Sequence, residues 1–234
     1  MKITDNLWKN VWSIEKYKPI SDKYRSRGFS TDLEPESSVC MASFANAMGN
    51  KFKEGVVLFD YGCGSARFCN FMSKRLDNFF YYGVEKLGSL DNWGEKAIAY
   101  AQSHFGKDNR IKLGFIGDDV EKEAINNAEV ALLLSIFTHT DIKEMNSIMD
   151  KLMPIILRGG SVIFSVFIRD TYRCINNLAY GFERCYAKTE YNQKQINEIS
   201  ERLNINIDKI DTLESPRGHK DKDHTIFKAH KWTT

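Results

Sequence analysis

The chain has 234 residues, of which 42% are hydrophobic, 27% are charged and 12% are aromatic, with 15 glycines and 4 prolines. These proportions are those of a globular domain, and they exclude a disordered, collagen-like or low-complexity chain. Lysines and arginines number 33 against 31 aspartates and glutamates, so the net charge of +2 creates no overall field that would commit the protein to nucleic acid or anionic lipid.

The cysteines and the apolar runs bear on the environment of the protein. The 5 cysteines are scattered and form no C-x-x-C pair, so we expect no disulfide framework, no metal site and a reducing compartment. Residues 1–18 lack the apolar run of a signal peptide. The densest apolar stretch, residues 130–137, is far shorter than the ~20 residues of a membrane span. These features predict a cytoplasmic protein without a membrane anchor.

From residue 55 onward, short apolar runs alternate with longer helical patterns, which is typical of a parallel sheet with crossover helices. The predicted strands cover residues 56–61, 79–84, 111–116, 129–136 and 161–168, and the predicted helices cover 66–76, 91–105 and 141–157. A further helix at 193–203 precedes strands at 205–210 and 225–230. The loop between these last two strands is too short for a parallel crossover, so we expect them to pair antiparallel within a mixed, doubly wound α/β sheet.

Residues 1–54 do not follow this alternation of strands and helices. Their aromatic residues predict one or two amphipathic helices, which either form a lid over the site or simply bury an apolar face. The aromatic residues concerned are Trp8, Trp12, Tyr17, Tyr24 and Phe29. We therefore divide the chain into an N-terminal helical extension or lid, residues 1–54, and a main domain, residues 55–234.

A glycine loop, residues 60–66, joins the first predicted strand to the first helix, at the carboxyl edge where doubly wound sheets bind ligands. Gly62 and Gly64 allow a ligand to approach the backbone closely, and the helix that follows offers N–H groups to an anion. Glu85 directly follows the second strand, where it can accept hydrogen bonds from a ribose diol. Arg67 occupies the place of the third small residue of a dinucleotide fingerprint, which disfavours NAD, and the missing Gly-Lys-Ser/Thr excludes a P-loop.

At these residues the sequence resembles the class I S-adenosylmethionine-dependent methyltransferases, over roughly residues 54–234. The first motif of that family, an acidic residue followed by x-Gly-x-Gly, is matched by Asp60, Gly62 and Gly64, and Glu85 matches its acidic residue after the second strand. Residues 156–160 look like the family's Leu-x-Pro-Gly-Gly turn before the fifth strand. The resemblance implies a Rossmann-like, seven-stranded mixed sheet with an antiparallel last strand, helices on both faces and S-adenosylmethionine as the cofactor.

The resemblance also implies roles for individual residues. The glycine loop would hold the methionyl part of the cofactor, Glu85 the ribose, two acidic residues after the third strand the adenine, and the end of the fourth strand the methyl-transfer channel. The full implied set is Asp60, Gly62, Cys63, Gly64, Glu85, Lys86, Leu87, Asp118, Asp119, Ser135, Ile136 and Phe137.

His139 is the candidate general base. It lies in a Phe-Thr-His segment after the fourth strand, which looks like that of many small-molecule methyltransferases, and an ordinary histidine pKa of ~6.5 suits proton removal near neutral pH. The alternative is a structural histidine beneath the substrate. Asp141, with Glu144 three residues later, predicts a helix cap rather than a catalytic group.

The acceptor predicted from these features is a small molecule methylated at oxygen or nitrogen. Aromatic residues after the fifth strand either shape the acceptor pocket or pack the strands; these are Tyr172, Tyr180, Phe182 and Tyr186. The motifs of base-methylating enzymes are absent, and the basic residues near the C-terminus are interleaved with acids, which favours a solvated surface over a phosphate track. An RNA or protein methyltransferase, a nicotinamide-dependent oxidoreductase and a non-catalytic cofactor-binding module are the alternatives.

Overall fold

The apolar runs of the sequence form one sheet in a computed structural model, which describes residues 35–87, 93–176, 187–213 and 224–232. Its first strands are β1 (Val57–Tyr61), β2 (Phe80–Glu85), β3 (Ile111–Phe115), β4 (Val130–Leu133) and β5 (Ser161–Ile168). They are parallel and lie in the order β3-β2-β1-β4-β5. The order reverses between β1 and β4, and this is the position where open α/β sheets bind their ligands.

Two short strands follow that the sequence did not predict, β6 (Arg173–Asn176) and β7 (Ala187–Tyr191). They pair antiparallel with each other, and β7 runs parallel to the last two residues of β5. The strands escaped prediction because their residues are largely polar and make only a short contact with the sheet. They add to the seven predicted strands at the carboxyl end of β5.

The last two strands are β8 (Asn206–Leu213) and β9 (His224–His230). β9 lies between β5 and β8 and is antiparallel to both, with Ser161 opposite His230 and Phe167 opposite His224 in the β5 pairing. The predicted α/β class, with a mixed sheet and an inserted antiparallel last strand, is therefore confirmed.

Helices cover both faces of the sheet. They are α1 (Pro35–Met48), α2 (Arg67–Ser73), α3 (Trp93–Phe105), α4 (Asp119–Asn127), α5 (Ile142–Leu157) and α6 (Gln193–Leu203). α1, α2 and α3 pack on one face of the sheet, where their buried residues include Phe44, Phe71 and Ile98. α4, α5 and α6 pack on the other face, where the buried residues include Met149 and Ile199. Alternate residues of each central strand supply the two cores, as the period of two requires.

Helices α5 and α6 each begin with a side-chain cap. The side chain of Asp141 accepts a hydrogen bond from the backbone N–H of Glu144 at 2.8 Å, so its predicted role as the cap of α5 is confirmed. Asn192 and Gln195 form a reciprocal capping box at the start of α6. These caps satisfy backbone N–H groups that have no partner within the helix.

α1 belongs to the predicted N-terminal extension. It packs against β5, β8 and β9, and its Phe44 and Met48 are fully buried. The aromatic residues proposed as a lid lie outside the described residues, as do Asp91 at the predicted start of α3 and the basic loop at 214–223. Among the helices that the structure describes, none is long and apolar enough to cross a membrane.

Candidate cofactor and acceptor site

The glycine loop follows β1 and is tied to the end of β2. Gly62 and Gly64 have φ angles of +77° and +53°, in the left-handed region that favours glycine. The backbone N–H groups of Gly62 and Cys63 both donate to the carbonyl of Val84, at 2.8 and 3.0 Å. A Cβ on Gly62 would overlap the side chain of Ile136, so the loop also contacts the segment that follows β4.

Glu85 connects the glycine loop to the end of β2. Its Oε2 accepts the backbone N–H of Gly64 at 2.9 Å, and its Oε1 accepts the backbone N–H of Lys86 at 2.8 Å. Burial raises the pKa of Glu85, while these two N–H groups act in the opposite direction. Each carboxylate oxygen has a second lone pair, so Glu85 retains acceptor capacity for a ligand.

Asp60 and Cys63 lie on the buried side of the loop. The hydroxyl of Tyr81 donates to the carboxyl group of Asp60 at 2.5 Å, and burial raises the pKa of Asp60 to about 7. The side chain of Cys63 occupies the space beside Gly83, where a Cβ would come within 2.9 Å of its sulfur. Burial raises the pKa of the Cys63 thiol, which keeps it from acting as a nucleophile. Both side chains therefore support the loop from the core.

The two aspartates predicted near the adenine have different surroundings. The carboxylate of Asp118 caps α4, since it accepts the backbone N–H groups of Phe115 at 2.7 Å and Glu121 at 3.1 Å. Asp119 is exposed and pairs with Lys122 at 2.8 Å. Elsewhere at this corner of the sheet, Lys86 and Leu87 follow β2 and are exposed, and the exposed fraction of Leu87 is 59%.

In the segment after β4, Ser135 adopts a left-handed backbone conformation with a φ of +60°. Its backbone N–H donates to the buried hydroxyl of Ser165 at 3.0 Å, and that hydroxyl lies 3.4 Å from Nδ1 of His224. Neither Ser165 nor His224 was predicted at this site from the sequence. A serine in the middle of the apolar strand β5 was the signal that could have indicated the first of them.

Ile136 and Phe137 follow Ser135 but differ in exposure. Ile136 is half-buried against the glycine loop. Phe137 is fully buried, and its ring packs edge-on against that of Phe164 with centroids 5.3 Å apart. The side chain of Phe137 thus belongs to the core behind this segment.

His139 lies in a turn that is anchored on both sides. The carbonyl of Thr138 accepts the backbone N–H of Thr189 in β7 at 2.9 Å, and the hydroxyl of Tyr191 donates to the carbonyl of Thr140 at 2.7 Å. Thr138 and Thr140 are buried, whereas His139 is exposed. The unpredicted strand β7 therefore holds the turn that presents the candidate base.

Of the four aromatic residues predicted to shape the acceptor pocket, Tyr172 is described. Its hydroxyl accepts the backbone N–H of Ile142 at 3.3 Å, and its ring centroid is 5.8 Å from that of Tyr191. Tyr172 therefore packs between the start of α5 and β7, next to the anchored turn. The other three residues lie outside the described ranges.

By sequence, no protein-family model and no curated protein matches the chain. By structure, it is similar to the 1,6-didemethyltoxoflavin N1-methyltransferase of Burkholderia thailandensis, with a TM-score of 0.61, 16% identity and coverage of 94% of this chain and 88% of that one. That protein was crystallised with 1,6-didemethyltoxoflavin and S-adenosylhomocysteine.

Two further solved structures support the same comparison. The magnesium protoporphyrin IX methyltransferase of Synechocystis PCC 6803, with bound S-adenosylmethionine, gives a TM-score of 0.58 at 14% identity and covers 93% of this chain and 94% of that one. A methyltransferase of Methanosarcina mazei gives 0.57 at 15% identity, with 86% and 100% covered. The chain therefore has the fold of the class I S-adenosylmethionine-dependent methyltransferases.

Proposed function

We propose that this protein is an S-adenosylmethionine-dependent methyltransferase that transfers the methyl group to an oxygen or nitrogen of a small-molecule acceptor. The observation that carries the proposal is the hydrogen bond between Glu85 and Gly64, which places a carboxylate beside the glycine loop at the carboxyl edge of the sheet. The shared fold supports it, because solved structures of that fold contain S-adenosylmethionine or S-adenosylhomocysteine.

The residues around the loop fit the cofactor. A Cβ on Gly64 would meet no atom within 4 Å, so the backbone of the loop is open to a ligand at that position. Gly62 and Gly64 hold the methionyl part, and the remaining lone pairs of Glu85 accept the ribose hydroxyls. Lys86 and Leu87 flank the adenine ring.

The other predicted cofactor residues have supporting roles in this proposal. Asp60 and Cys63 hold the glycine loop from the buried side, and Asp118 fixes the turn that brings Asp119 to the adenine edge. A second group follows β4: Ser135 and Ile136 line the methyl-transfer channel, and Phe137 backs it from the core.

The cofactor supplies a methyl group on a sulfonium, and the protein aligns the acceptor, excludes water and removes a proton where the acceptor is a hydroxyl. His139 is proposed to remove that proton. The support for this role is its exposed side chain on a turn that Thr138 and Thr140 anchor. The small size of the acceptor is supported by the two structural neighbours whose names specify toxoflavin and protoporphyrin substrates.

The proposal is tested by calorimetric titration of the purified protein with S-adenosylmethionine, S-adenosylhomocysteine and NADH. We expect micromolar binding of the first two, which corresponds to about 8 kcal/mol, and no binding of NADH. Failure of both to bind to folded protein would overturn the proposal. Binding of NADH alone would instead indicate an oxidoreductase.

The acceptor is then sought by methyl transfer to a library of small hydroxyl and amine compounds. With a hydroxyl acceptor, we expect His139→Asn to lower kcat by about 10²- to 10⁴-fold while leaving cofactor affinity unchanged. His104→Asn provides the matched control, because His104 is an exposed histidine in the last turn of α3. A normal kcat for His139→Asn would show that His139 is not the base.

A further inference from the structure

An open cleft with a volume of about 480 Å³ lies at the edge of the sheet opposite the glycine loop. It is formed by the 3₁₀ turn after α1, the start of β5, parts of β8 and β9, and the residues that follow β9. Ser161 lines this cleft, and Ser165 holds Ser135 at the proposed methyl-transfer channel. These two serines are four residues apart in β5, which corresponds to roughly 13 Å along the strand. A ligand in the cleft would therefore be distinct from the cofactor and the acceptor.

Positive charge dominates the cleft, whose lining includes Lys51, Lys228 and Lys231. Asp208 is the only acidic side chain among the described residues that line it, and its Oδ2 already lies 2.7 Å from Nε2 of His230. Lys228 and Lys231 form no ion pair with any residue in the part of the chain that the structure describes. The cleft thus offers ammonium groups that lack a carboxylate partner there.

Lys51 is held at the wall of the cleft. Its Nζ donates to the carbonyl of Gly159 at 2.6 Å, at the turn before β5. Burial and the neighbouring Lys228 lower the pKa of Lys51, and Glu129 acts in the opposite direction. The positive charge of Lys228 thus disfavours the charged form of Lys51, and the negative charge of an anion in the cleft would favour it.

Ser161 adds a buried hydroxyl to the lining. It is 1% exposed, and its Oγ has no hydrogen-bond partner among the described residues. Ser161 lies opposite His230 in the pairing of β5 with β9, so the two side chains lie on the same face of the sheet. Lys228 is two residues before His230 and shares that face. A ligand oxygen bound beside Lys228 would give the Ser161 hydroxyl a partner.

Trp232 completes the cleft with an aromatic surface. It follows β9, lines the cleft and is 53% exposed. An exposed indole beside cationic side chains offers a flat apolar surface on which the ring of a ligand can stack. The volume of the cleft is within the range of about 300–1,000 Å³ found for small-molecule sites.

We propose that this cleft binds a phosphomonoester whose organic group carries an aromatic ring, such as a nucleoside monophosphate. The phosphate lies among Lys51, Lys228 and Lys231 and accepts a hydrogen bond from Ser161, while the ring stacks on Trp232. Lysines bind phosphate as compact point charges, and three of them suit a dianion better than a single carboxylate. The inference does not depend on the proposed methyl transfer.

The test uses uridine monophosphate as the probe, because it lacks the adenine ring of S-adenosylmethionine. By calorimetry at low salt, we expect it to bind at least tenfold more tightly than uridine or inorganic phosphate. Lys228→Gln and Lys231→Gln should each weaken binding by about fivefold or more, and Lys231 is exposed outside the strands, so its replacement does not endanger folding. Trp232→Ala should reduce affinity for uridine monophosphate to that for inorganic phosphate, and Trp232→Phe should restore it.

Two control variants locate the site. Lys74→Gln removes an exposed lysine at the end of α2, and Glu85→Ala alters the proposed cofactor site; neither should change the affinity for uridine monophosphate. The inference is overturned if the folded protein does not bind the probe, if both lysine variants bind it normally, or if inorganic phosphate binds equally well. Loss of binding in Glu85→Ala would also overturn it, because the probe would then occupy the other site.

Discussion

The backbone N–H of Gly64 donates to Oε2 of Glu85 at 2.9 Å, which joins the glycine loop after β1 to the end of β2. The second oxygen of the same carboxylate accepts the N–H of Lys86, so Glu85 fixes the backbone on both sides of the corner where the cofactor is proposed to bind. If this carboxylate also accepts the ribose hydroxyls, the conformation of the loop and the affinity for the cofactor depend on the same side chain.

Glu85→Ala should weaken the binding of S-adenosylmethionine by about 5- to 150-fold, because hydrogen bonds to a charged acceptor contribute on the order of 1–3 kcal/mol. Calorimetric titration of the variant and the wild-type protein measures the change directly. Glu198→Ala is the matched control, since Glu198 is exposed on α6 and pairs with Lys194 there. Equal affinities of wild-type protein and Glu85→Ala would rule out the proposed role of Glu85.

The two glycines of the loop should respond differently to replacement by alanine. Both have a positive φ, which costs an alanine about 1–2 kcal/mol, but only at Gly62 would the new Cβ overlap the side chain of Ile136. We therefore expect Gly62→Ala to lower the free energy of unfolding more than Gly64→Ala does, as measured by urea denaturation.

A double-mutant cycle isolates the contact between Gly62 and Ile136. Ile136→Ala should be less destabilising in the Gly62→Ala background than in the wild-type protein, because it removes the atoms that the new Cβ would meet. Additive effects of the two substitutions would contradict the close approach of the loop to the segment after β4.

The sequence predicted the elements whose signals are local. β5 is a continuous apolar run, and α5 has both an apolar stripe and an Asp-x-x-Glu start, so both were found with nearly the correct bounds. β4 ends at Leu133, before the predicted residue 136, because Ser135 adopts a left-handed conformation that ends the strand. α4 was missed because it is mostly polar, with only Glu121 and Ala124 buried.

Only part of the candidate site could be predicted from the sequence, because several of its contacts join residues that are far apart in the chain. The glycine loop and Glu85 carry recognisable residue types at a characteristic spacing, so the sequence identifies them as candidates. The contact of Ser165 with His224 joins residues 59 positions apart, and the anchoring of Thr140 by Tyr191 joins residues 51 positions apart. Such pairs depend on the order and register of the strands, about which the periodicity of a single segment carries no information.

Asp60 should give the stability of the protein a distinctive pH dependence. Burial raises its pKa from 3.8 to about 7, so between these values the folded state retains a proton that the unfolded state has released. The resulting contribution to stability is complete below about pH 4 and is lost as the pH rises through 7. In Asp60→Asn the amide replaces the protonated carboxyl group and can still accept the hydroxyl of Tyr81, so this loss should not occur.

The measurement is the free energy of unfolding of Asp60→Asn minus that of the wild-type protein, from pH 4 to pH 8. As the pH increases over this range, the variant should become more stable relative to the wild-type protein, by at most about 4 kcal/mol. This limit follows because each unit of pKa shift corresponds to about 1.4 kcal/mol. Asp77→Asn removes an exposed carboxylate and serves as the matched control. A difference for Asp60→Asn that does not change with pH would contradict a protonated Asp60 in the folded protein.

Tyr191→Phe should destabilise the turn that carries His139. The hydroxyl of Tyr191 is buried and donates to the carbonyl of Thr140 at 2.7 Å, so its removal leaves a buried carbonyl without that donor and should cost about 1–3 kcal/mol of unfolding free energy. Tyr172→Phe is the matched control: the hydroxyl of Tyr172 accepts a longer bond of 3.3 Å from Ile142 and is less buried, so its loss should cost less.

Because neither tyrosine contacts the glycine loop, both variants should bind S-adenosylmethionine with wild-type affinity, while methyl transfer should fall further in Tyr191→Phe. Equal unfolding free energies of the two variants would mean that the bond from β7 does not hold the turn in place.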